Sequence, residues 1–426
     1  MRKFIFFVAL AVFATLPGFY LRLTGTHVAP GLEAAIFFVA ILAAGFLLSW
    51  GAEAAEQHVS QGLIIGVLAL VTVLPEYAVD LYYTYQAGLH PGSAYAGFAA
   101  ANMTGANRLL IGVAWPLVAG IYWWRSRRQV VELHRDNSAE IAYLTLASLY
   151  AFVIVLKNRI DLVDFVVLVA IFAAYLWRLG KLPKTQGEAE EEPEEVGPAA
   201  AVATLSTGWQ WAVMGGLTLL AVTVVVAAAE PFAEALLASG RAWGVSQFLL
   251  VQWVAPLASE TPGVVLVVLF VLNLRPKAAL STLVSDKINQ WTLLVGMIPL
   301  AYALGAGRVL HFELDARQHE EFFLTAAQSL FAVALLLRLQ LKLRSAGLLL
   351  GLFSGQFALA WVLQRNEVRT MQVLTLVGWV YLALAAGLFW WSRARLGEHL
   401  RVGLLARAPR SAPAEGPGPV APRALR

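Results

Sequence analysis

The chain has no cysteine among its 426 residues. That absence excludes disulfides, thiolate metal sites and a cysteine nucleophile, and says little about compartment. Charge is scarce too: 14% of residues are Asp, Glu, Lys or Arg, against 59% hydrophobic. At a mean hydropathy of +0.68 there is too little polar surface for a soluble domain. No phosphate loop, nucleophile triad or zinc spacing occurs, and no histidine holds a convincing intramembrane position. An ATP-driven pump, an intramembrane protease and enzymes in general therefore lack support, and no cofactor is expected. The short alternating segments of a membrane barrel are missing as well.

What is present is apolar sequence of spanning length, recurring almost from end to end. Backbone groups in lipid must bond within the segment, so these windows are expected to be helices. Twelve spans are placed at about 3–22, 32–57, 60–87, 93–123, 139–156, 160–179, 208–238, 244–272, 276–303, 319–341, 345–364 and 368–391. The fold class is thus an all-α membrane protein. The apolar run Phe4–Leu16 is long and no clear small-residue cleavage site follows it, so residues 2–22 read as a retained helix and not a cleaved signal peptide.

Lys and Arg are biased to one side. Arg2/Lys3, Arg125/Arg127/Arg128/Arg135, Arg178/Lys181/Lys184, Arg275/Lys277, Lys342/Arg344 and the arginine-rich C-terminus share it, whereas the other side has pairs such as Lys157/Arg159 and Arg365/Arg369. This predicts both termini inside, in the cytoplasm. The pI near 9.3 reflects that orientation and not nucleic-acid binding. Compact loops and Ala/Leu/Arg-rich composition fit a bacterial plasma (inner) membrane. Glu188–Glu195 with Pro193 and Pro198 reads as a solvated linker. Beyond about 402 the Pro-, Ala-, Gly- and Arg-rich tail reads as disordered. Trp123, Trp124, Trp390 and Trp391 lie near helix ends, as interfacial tryptophans do.

The chain also contains a weak internal repeat. Ala52-Glu53-Ala54-Ala55-Glu56, Ser60-Gln61, Leu74-Pro75-Glu76 and Asn102 are followed later by Ala229-Glu230-Pro231-Phe232-Ala233-Glu234, Ser246-Gln247, Ala258-Ser259-Glu260-Thr261-Pro262 and Asp286. Glu76 to Asn102 is 26 residues, and so is Glu260 to Asp286 (102 − 76; 286 − 260). Five spans separate the two glutamates, and an odd number inverts the second copy. Inverted repeats place substrate near the midplane, where broken helices meet, and Pro75 and Pro262 are suitable breakers.

Glu76 and Glu260 fall deep inside apolar spans, where a carboxylate costs roughly 2.5–3.5 kcal/mol on insertion scales. Such acids recurring beside prolines point to function. Asp80, one turn beyond Glu76, shares its helix face. Asp286 completes a symmetrical cluster, and Asn102 and Asn107 offer amide oxygens. A set of carboxylates, amides and carbonyls suits a hard cation such as Ca²⁺. Arg108 and Lys287 lie beside this cluster, either neutralising a carboxylate or standing in for one transported ion, and Asn289 lies on the same stretch. Glu53, Glu56, Glu230 and Glu234 fall towards span ends, where they sit at the interface or line an ion path. Tyr82, Tyr83 and Tyr85 read as helix packing or interface residues.

With Leu74-Pro75-Glu76 and Ala101-Asn102-Met103-Thr104-Gly105-Ala106-Asn107, the chain resembles the sodium/calcium exchanger superfamily of cation antiporters. Each repeat of that family carries a Pro-Glu helix and then a Gly-Asn-x-x-Gly-Ser-Asn helix. The second copy has drifted to Ser259-Glu260 and Ser285-Asp286-Lys287-Ile288-Asn289-Gln290. The resemblance covers about 32–123 and 208–303. It implies a core of five plus five helices with one added helix at each end. The expected division is 1–31, an additional helix; 32–179, the first repeat half; 180–207, the acidic linker; 208–364, the second half; 365–401, an additional helix; and 402–426, the tail. It further implies that Glu76 and Glu260 coordinate the transported Ca²⁺ or Na⁺, that Asn102 flanks them, and that Asp286 replaces its repeat mate. A hydroxyl residue is usual in the family at the position of Asp80. Function is then expected to be secondary active antiport of Ca²⁺ against Na⁺ or H⁺, with Na⁺/H⁺ or K⁺/H⁺ exchange, or a channel-like or non-transporting relative, as alternatives. The expected partners are inorganic cations and the bilayer. The sequence does not set the oligomeric state.

Overall fold

The computed structural model describes residues 1–55, 73–181, 201–202 and 204–405. Glu56, Ser60-Gln61, the run Glu188–Glu195 and the tail beyond Leu405 lie outside the described residues, as does the Glu53 side chain.

Among the described residues twelve long helices follow one another: α1 (Arg2–Thr24), α2 (Pro30–Ala55), α3 (Leu74–Leu89), α4 (Tyr95–Ser126), α5 (Ser138–Lys157), α6 (Leu162–Leu179), α7 (Thr207–Trp243), α8 (Gln247–Leu272), α9 (Pro276–Ala306), α10 (Ala316–Leu336), α11 (Leu343–Leu363) and α12 (Glu367–Leu400). Among the described residues, ten of them are long and apolar enough to cross a membrane. Of the other two, α3 is described for 16 residues, and α10 carries Arg317, Glu320 and Glu321 in its first turns. Local chemistry sets several starts. Asp161 and Asp315 each accept backbone N–H groups at the heads of α6 and α10, with Asp164 and Gln318 completing capping boxes.

The five helices α2–α6 and the five helices α7–α11 are inverted repeats. Both α4 and α9 contain a five-residue π-turn, Leu110–Ala114 and Gln290–Leu294, followed by twelve helical residues and a left-handed C-cap at Arg127 and Gly307. Two short ribbons tie the repeats together. β1 (Val130–Glu132) pairs antiparallel with β4 (Gln340–Lys342), and β2 (Arg159–Ile160) with β3 (Phe312–Glu313). One ribbon lies on the face that carries Met1 and the end of α12, the other on the opposite face. Exchanging the repeats turns one ribbon into the other.

With lipid outside, close approach takes over from water exclusion as the main source of helix association. A side chain on Gly88 would strike the backbone of Tyr302, and one on Gly305 that of Tyr85, so α3 and α9 meet backbone to backbone. The added helix α1 packs on α2 and α7 through an apolar cluster of its own, including Phe4, Ala44, Leu47 and Val224. At the other end, α12 stacks on α10 through Tyr381 against Phe331 and Trp379 against Phe323. Trp123, Trp124, Trp390 and Trp391 are exposed, and α12 kinks at Ser392 directly after the last two.

Two sequence expectations about the backbone come out differently from each other. Pro75 does stand in the first turn of α3, so Glu76 sits at a helix start. Pro262 breaks nothing, because α8 runs continuously through it and through Pro256. Its ring is received by Gly45 of α2, where any side chain would collide with it, and the hydroxyls of Ser259 and Thr261 bond carbonyls in the preceding turn. Packing against protein lets a spanning helix keep an internal proline.

Candidate functional site

Four helices meet at the centre. Glu76 and Asp80 come from α3, Asn102 and Asn107 from α4, Glu260 from α8, and Asp286, Lys287, Asn289 and Gln290 from α9. Glu76 and Asp80 are 2% and 0% exposed, whereas Glu260 and Asp286 are half-buried. Glu76 faces Glu260 and Asp80, and Asp286 faces Glu260.

Partners are unevenly distributed. Among the described residues neither oxygen of Glu76 has a hydrogen-bond partner, nor does Oδ2 of Asp80. Asn102 donates to Asp80 Oδ1 at 3.4 Å, and Gln290 donates to Glu260 Oε1 at 2.8 Å. Tyr77 donates to Asn289 Oδ1 at 3.0 Å, joining α3 to α9. Gln290 opens the π-turn of α9, one turn beyond Asp286, so both lie on the face towards Glu260. Among the described residues no three Asp, Glu or His side chains enclose a metal ion by themselves. The arrangement is a pair of facing glutamates flanked by Asp80, Asp286 and amides, an all-oxygen environment suited to a hard cation or to protons.

The two basic residues go separate ways. The Lys287 ammonium donates to Asn107 Oδ1 at 2.6 Å and to the Asn107 carbonyl at 2.9 Å, and lies within electrostatic reach of Glu76 and Glu260. Arg108 turns away from the cluster and pairs with Glu321 of α10, a completely buried carboxylate. Sequence reasoning passed over Glu321, Gln252, Tyr77 and the role of Gln290. The one available signal was the pair Glu320-Glu321 near the start of the tenth span, which a buried arginine elsewhere calls for.

The repeat register also differs from the equal 26-residue spacing. Measured from the π-turns, Asn102 stands eight residues ahead (110 − 102), and so does Thr282 (290 − 282). Asp286 stands four ahead, level with Ala106. The stretch from Glu260 to its π-turn is four residues shorter than that from Glu76 to its own, half of the difference lying in the loop and half in the flanking helices, and this moves Asp286 one helical turn along the same face.

Towards the face opposite the termini, Glu234 of α7 accepts from Tyr82 at 2.9 Å and from Tyr95 at 2.6 Å, while Glu230 pairs with Arg22 of α1 at 2.6 Å. Tyr83 donates to the Ala233 carbonyl at 3.1 Å. Tyr85 is exposed, and its backbone receives Gly305.

Inverted five-helix repeats with facing acids at their centre define a membrane cation exchanger. The chain belongs to the sodium/calcium exchanger protein family, whose sequence model matches residues 29–180 and 214–363. That family is one of transporters. The chain is similar to the crystal structure of the H⁺/Ca²⁺ exchanger CAX, at 37% identity and a TM-score of 0.86 over 94% of this chain and 98% of that one. It shares its fold with native YfkE, at 13% identity and a TM-score of 0.57 over 84% and 99% of the two chains. It also shares it with the sodium-calcium exchanger NCX_Mj soaked with Na⁺ and Sr²⁺, at 17% identity and 0.51 over 78% and 99%. Comparison with curated protein sequences gives no match.

Proposed function

We propose that this protein is a secondary active antiporter that exchanges Ca²⁺ against protons across the plasma membrane of a bacterial cell, with both termini cytoplasmic. The observation that carries this reading is Glu76: both carboxylate oxygens are buried, without a hydrogen-bond partner among the described residues, and turned towards Glu260. A carboxylate so placed gains from any cation that reaches it. The likeness to a H⁺/Ca²⁺ exchanger across nearly the whole chain supports the choice of ions.

In this reading Ca²⁺ sheds water and takes oxygens from Glu76 and Glu260, with Asp80, Asn102 and Asp286 around them. Protons compete for the same carboxylates, so binding one ion expels the other and no ATP is needed. Lys287, held on Asn107, stands beside the pair and, while protonated, offsets part of its negative charge. Alternating access comes from a helix pair moving against the rest. The candidates are α2 and α7, which pack along one another more extensively than any other two helices.

The test uses purified protein in liposomes with an acidic lumen, following Ca²⁺ uptake and luminal pH together. Ca²⁺ entering as protons leave, absent in Glu76→Gln, is the expected result. Uptake driven only by an outward Na⁺ gradient, with the lumen pH unmoved, would replace protons by Na⁺. No gradient-driven Ca²⁺ flux of either kind would reject the antiporter reading.

A further inference from the structure

Behind the central acids lies a second buried polar cluster. Arg108 on α4 bonds Glu321 Oε2, and its guanidinium lies 5.2 Å from the centre of the Trp253 ring. Gln252 of α8 donates to the same oxygen at 2.8 Å. Arg317 pairs with Glu321 Oε1 at 2.7 Å. One turn before Arg108, Gly105 lies against the Gln252 carbonyl with no room for a side chain. Glu321 therefore braces the crossing of α4 and α8, the two helices that carry Asn102 and Glu260.

Glu320 takes no part in that brace. It is 4% exposed, neither of its oxygens has a hydrogen-bond partner among the described residues, and Arg317 stands 4.0 Å from it. A buried carboxylate left this way weakens the fold by the cost of its desolvation and contributes nothing in return. The charged and titratable groups around it are Glu321 and Arg317 on α10 and Arg108 on α4. Beyond Arg108 stand Lys287 on α9 and Tyr381 on α12, whose hydroxyl is also unpartnered. Helix α5 meets α10 through Ser148 on Ser329, and its C-cap Asn158 bonds the half-buried His319. Glu320 lies roughly 6 Å along α10 from its first residue, since each residue rises about 1.5 Å. Arg317, in the first turn, lies at the end of α10 that follows the β2–β3 ribbon, with its guanidinium 4.7 Å from the centre of the Phe248 ring.

We infer that Glu320 is a proton-binding site separate from the cation site and electrostatically coupled to it. A hydronium ion gives its proton to the carboxylate, leaving the carboxylic acid and water. The formal charge of Arg108, Arg317, Glu320 and Glu321 then rises from zero to plus one. Arg108 transmits that charge to Lys287 and so to Glu76 and Glu260, and a bound divalent cation is released more readily. This rests on the proton-coupled reading above.

The experiment is Ca²⁺ binding by wild type, Glu320→Gln and Glu320→Asp over a series of pH values, with proton release on Ca²⁺ addition measured in the same samples. Gln mimics the protonated state. Glu320→Gln is expected to bind Ca²⁺ more weakly at alkaline pH and to lose one proton from the linkage. Its Kd then changes about tenfold less per pH unit than that of wild type. Glu320→Asp keeps the wild-type slope with a displaced midpoint, and it carries the test if the Gln variant does not fold. A Gln variant with the wild-type slope, or an Asp variant with an unmoved midpoint, overturns the inference. Absence of proton release from wild type itself overturns the proton-coupled reading instead.

Discussion

Asn107 and Lys287 each stand three residues ahead of their own π-turn, and they touch each other: the Lys287 ammonium bonds both oxygens that Asn107 offers. They are repeat mates in contact across the interface between the halves. One copy carries an amide there and the other a basic side chain. While Lys287 is protonated, its charge within reach of Glu76 and Glu260 weakens the attraction of that pair for a second cation.

Replacing Lys287 by Met therefore tightens Ca²⁺ binding by about tenfold or more and slows Ca²⁺ release. Calorimetric titration of the detergent-purified variant measures the first effect. An unchanged affinity would mean that the ammonium contributes no charge to the site.

Glu76→Gln and Glu260→Gln should each abolish Ca²⁺ flux while leaving a folded protein, because Gln keeps the shape and removes the charge. Glu76→Gln is expected to raise the melting temperature, since a buried carboxyl facing Glu260 and Asp80 is replaced by a group that is neutral at every pH. Proteoliposome flux and thermal unfolding of the same preparations check both statements. Near-normal flux in both variants would remove these residues from the site.

Much of the architecture was legible because lipid is an unforgiving solvent. Length and hydropathy place ten of the helices, the third span is described only from residue 73, and an odd span count between Glu76 and Glu260 gives the inversion. Finer geometry was not legible. A π-turn has no composition of its own, so nothing announced that Asp286 stands level with Ala106. Pro262 looked like a breaker because its accommodation depends on Gly45, a residue of another helix more than 200 positions away. Arg108 looked like a neighbour of the acids because sequence gives proximity along a helix but not the side on which a long side chain leaves it.

The Gly88–Gly305 contact predicts a sharp contrast between two alanines. Gly88→Ala puts a methyl into the α9 backbone and is expected to destabilise by about 1–3 kcal/mol. Gly97→Ala on α4 meets nothing within 4 Å and should be neutral or slightly stabilising. Melting temperatures in one detergent decide this, and equal values would contradict the backbone contact.

The α5–α6 hairpin supplies a control for pH experiments. Burial pushes the Asp161 carboxyl up, but the Lys157 ammonium at 3.0 Å and the N–H groups of Val163 and Asp164 outweigh it and hold the carboxyl below its ordinary range. A depressed carboxylate gives stability that is complete above its unfolded value, near about 3.9, and is lost as pH falls through the folded value. Asp161→Ala should thus cost about 1 kcal/mol at neutral pH, and the deficit should shrink below about pH 4. Unfolding midpoints of both proteins between neutral and strongly acidic pH test it. Losses of transport in mildly acidic buffer then cannot come from this hairpin.

The Arg108–Glu321 pair also bears on how the protein is made. Its two members are 213 residues apart, so at about 5–20 residues per second of synthesis Arg108 waits roughly 10–40 s for its counter-charge. Glu76 waits nearly as long for the helix that carries Glu260. During that interval the first half sits in the bilayer with charged groups that only the second half can neutralise. It must be held at the translocon or by a chaperone, or remain loosely inserted until α10 arrives. Two halves made as separate polypeptides would each be a poor membrane protein and good partners for one another, so co-expression should rescue what neither achieves alone.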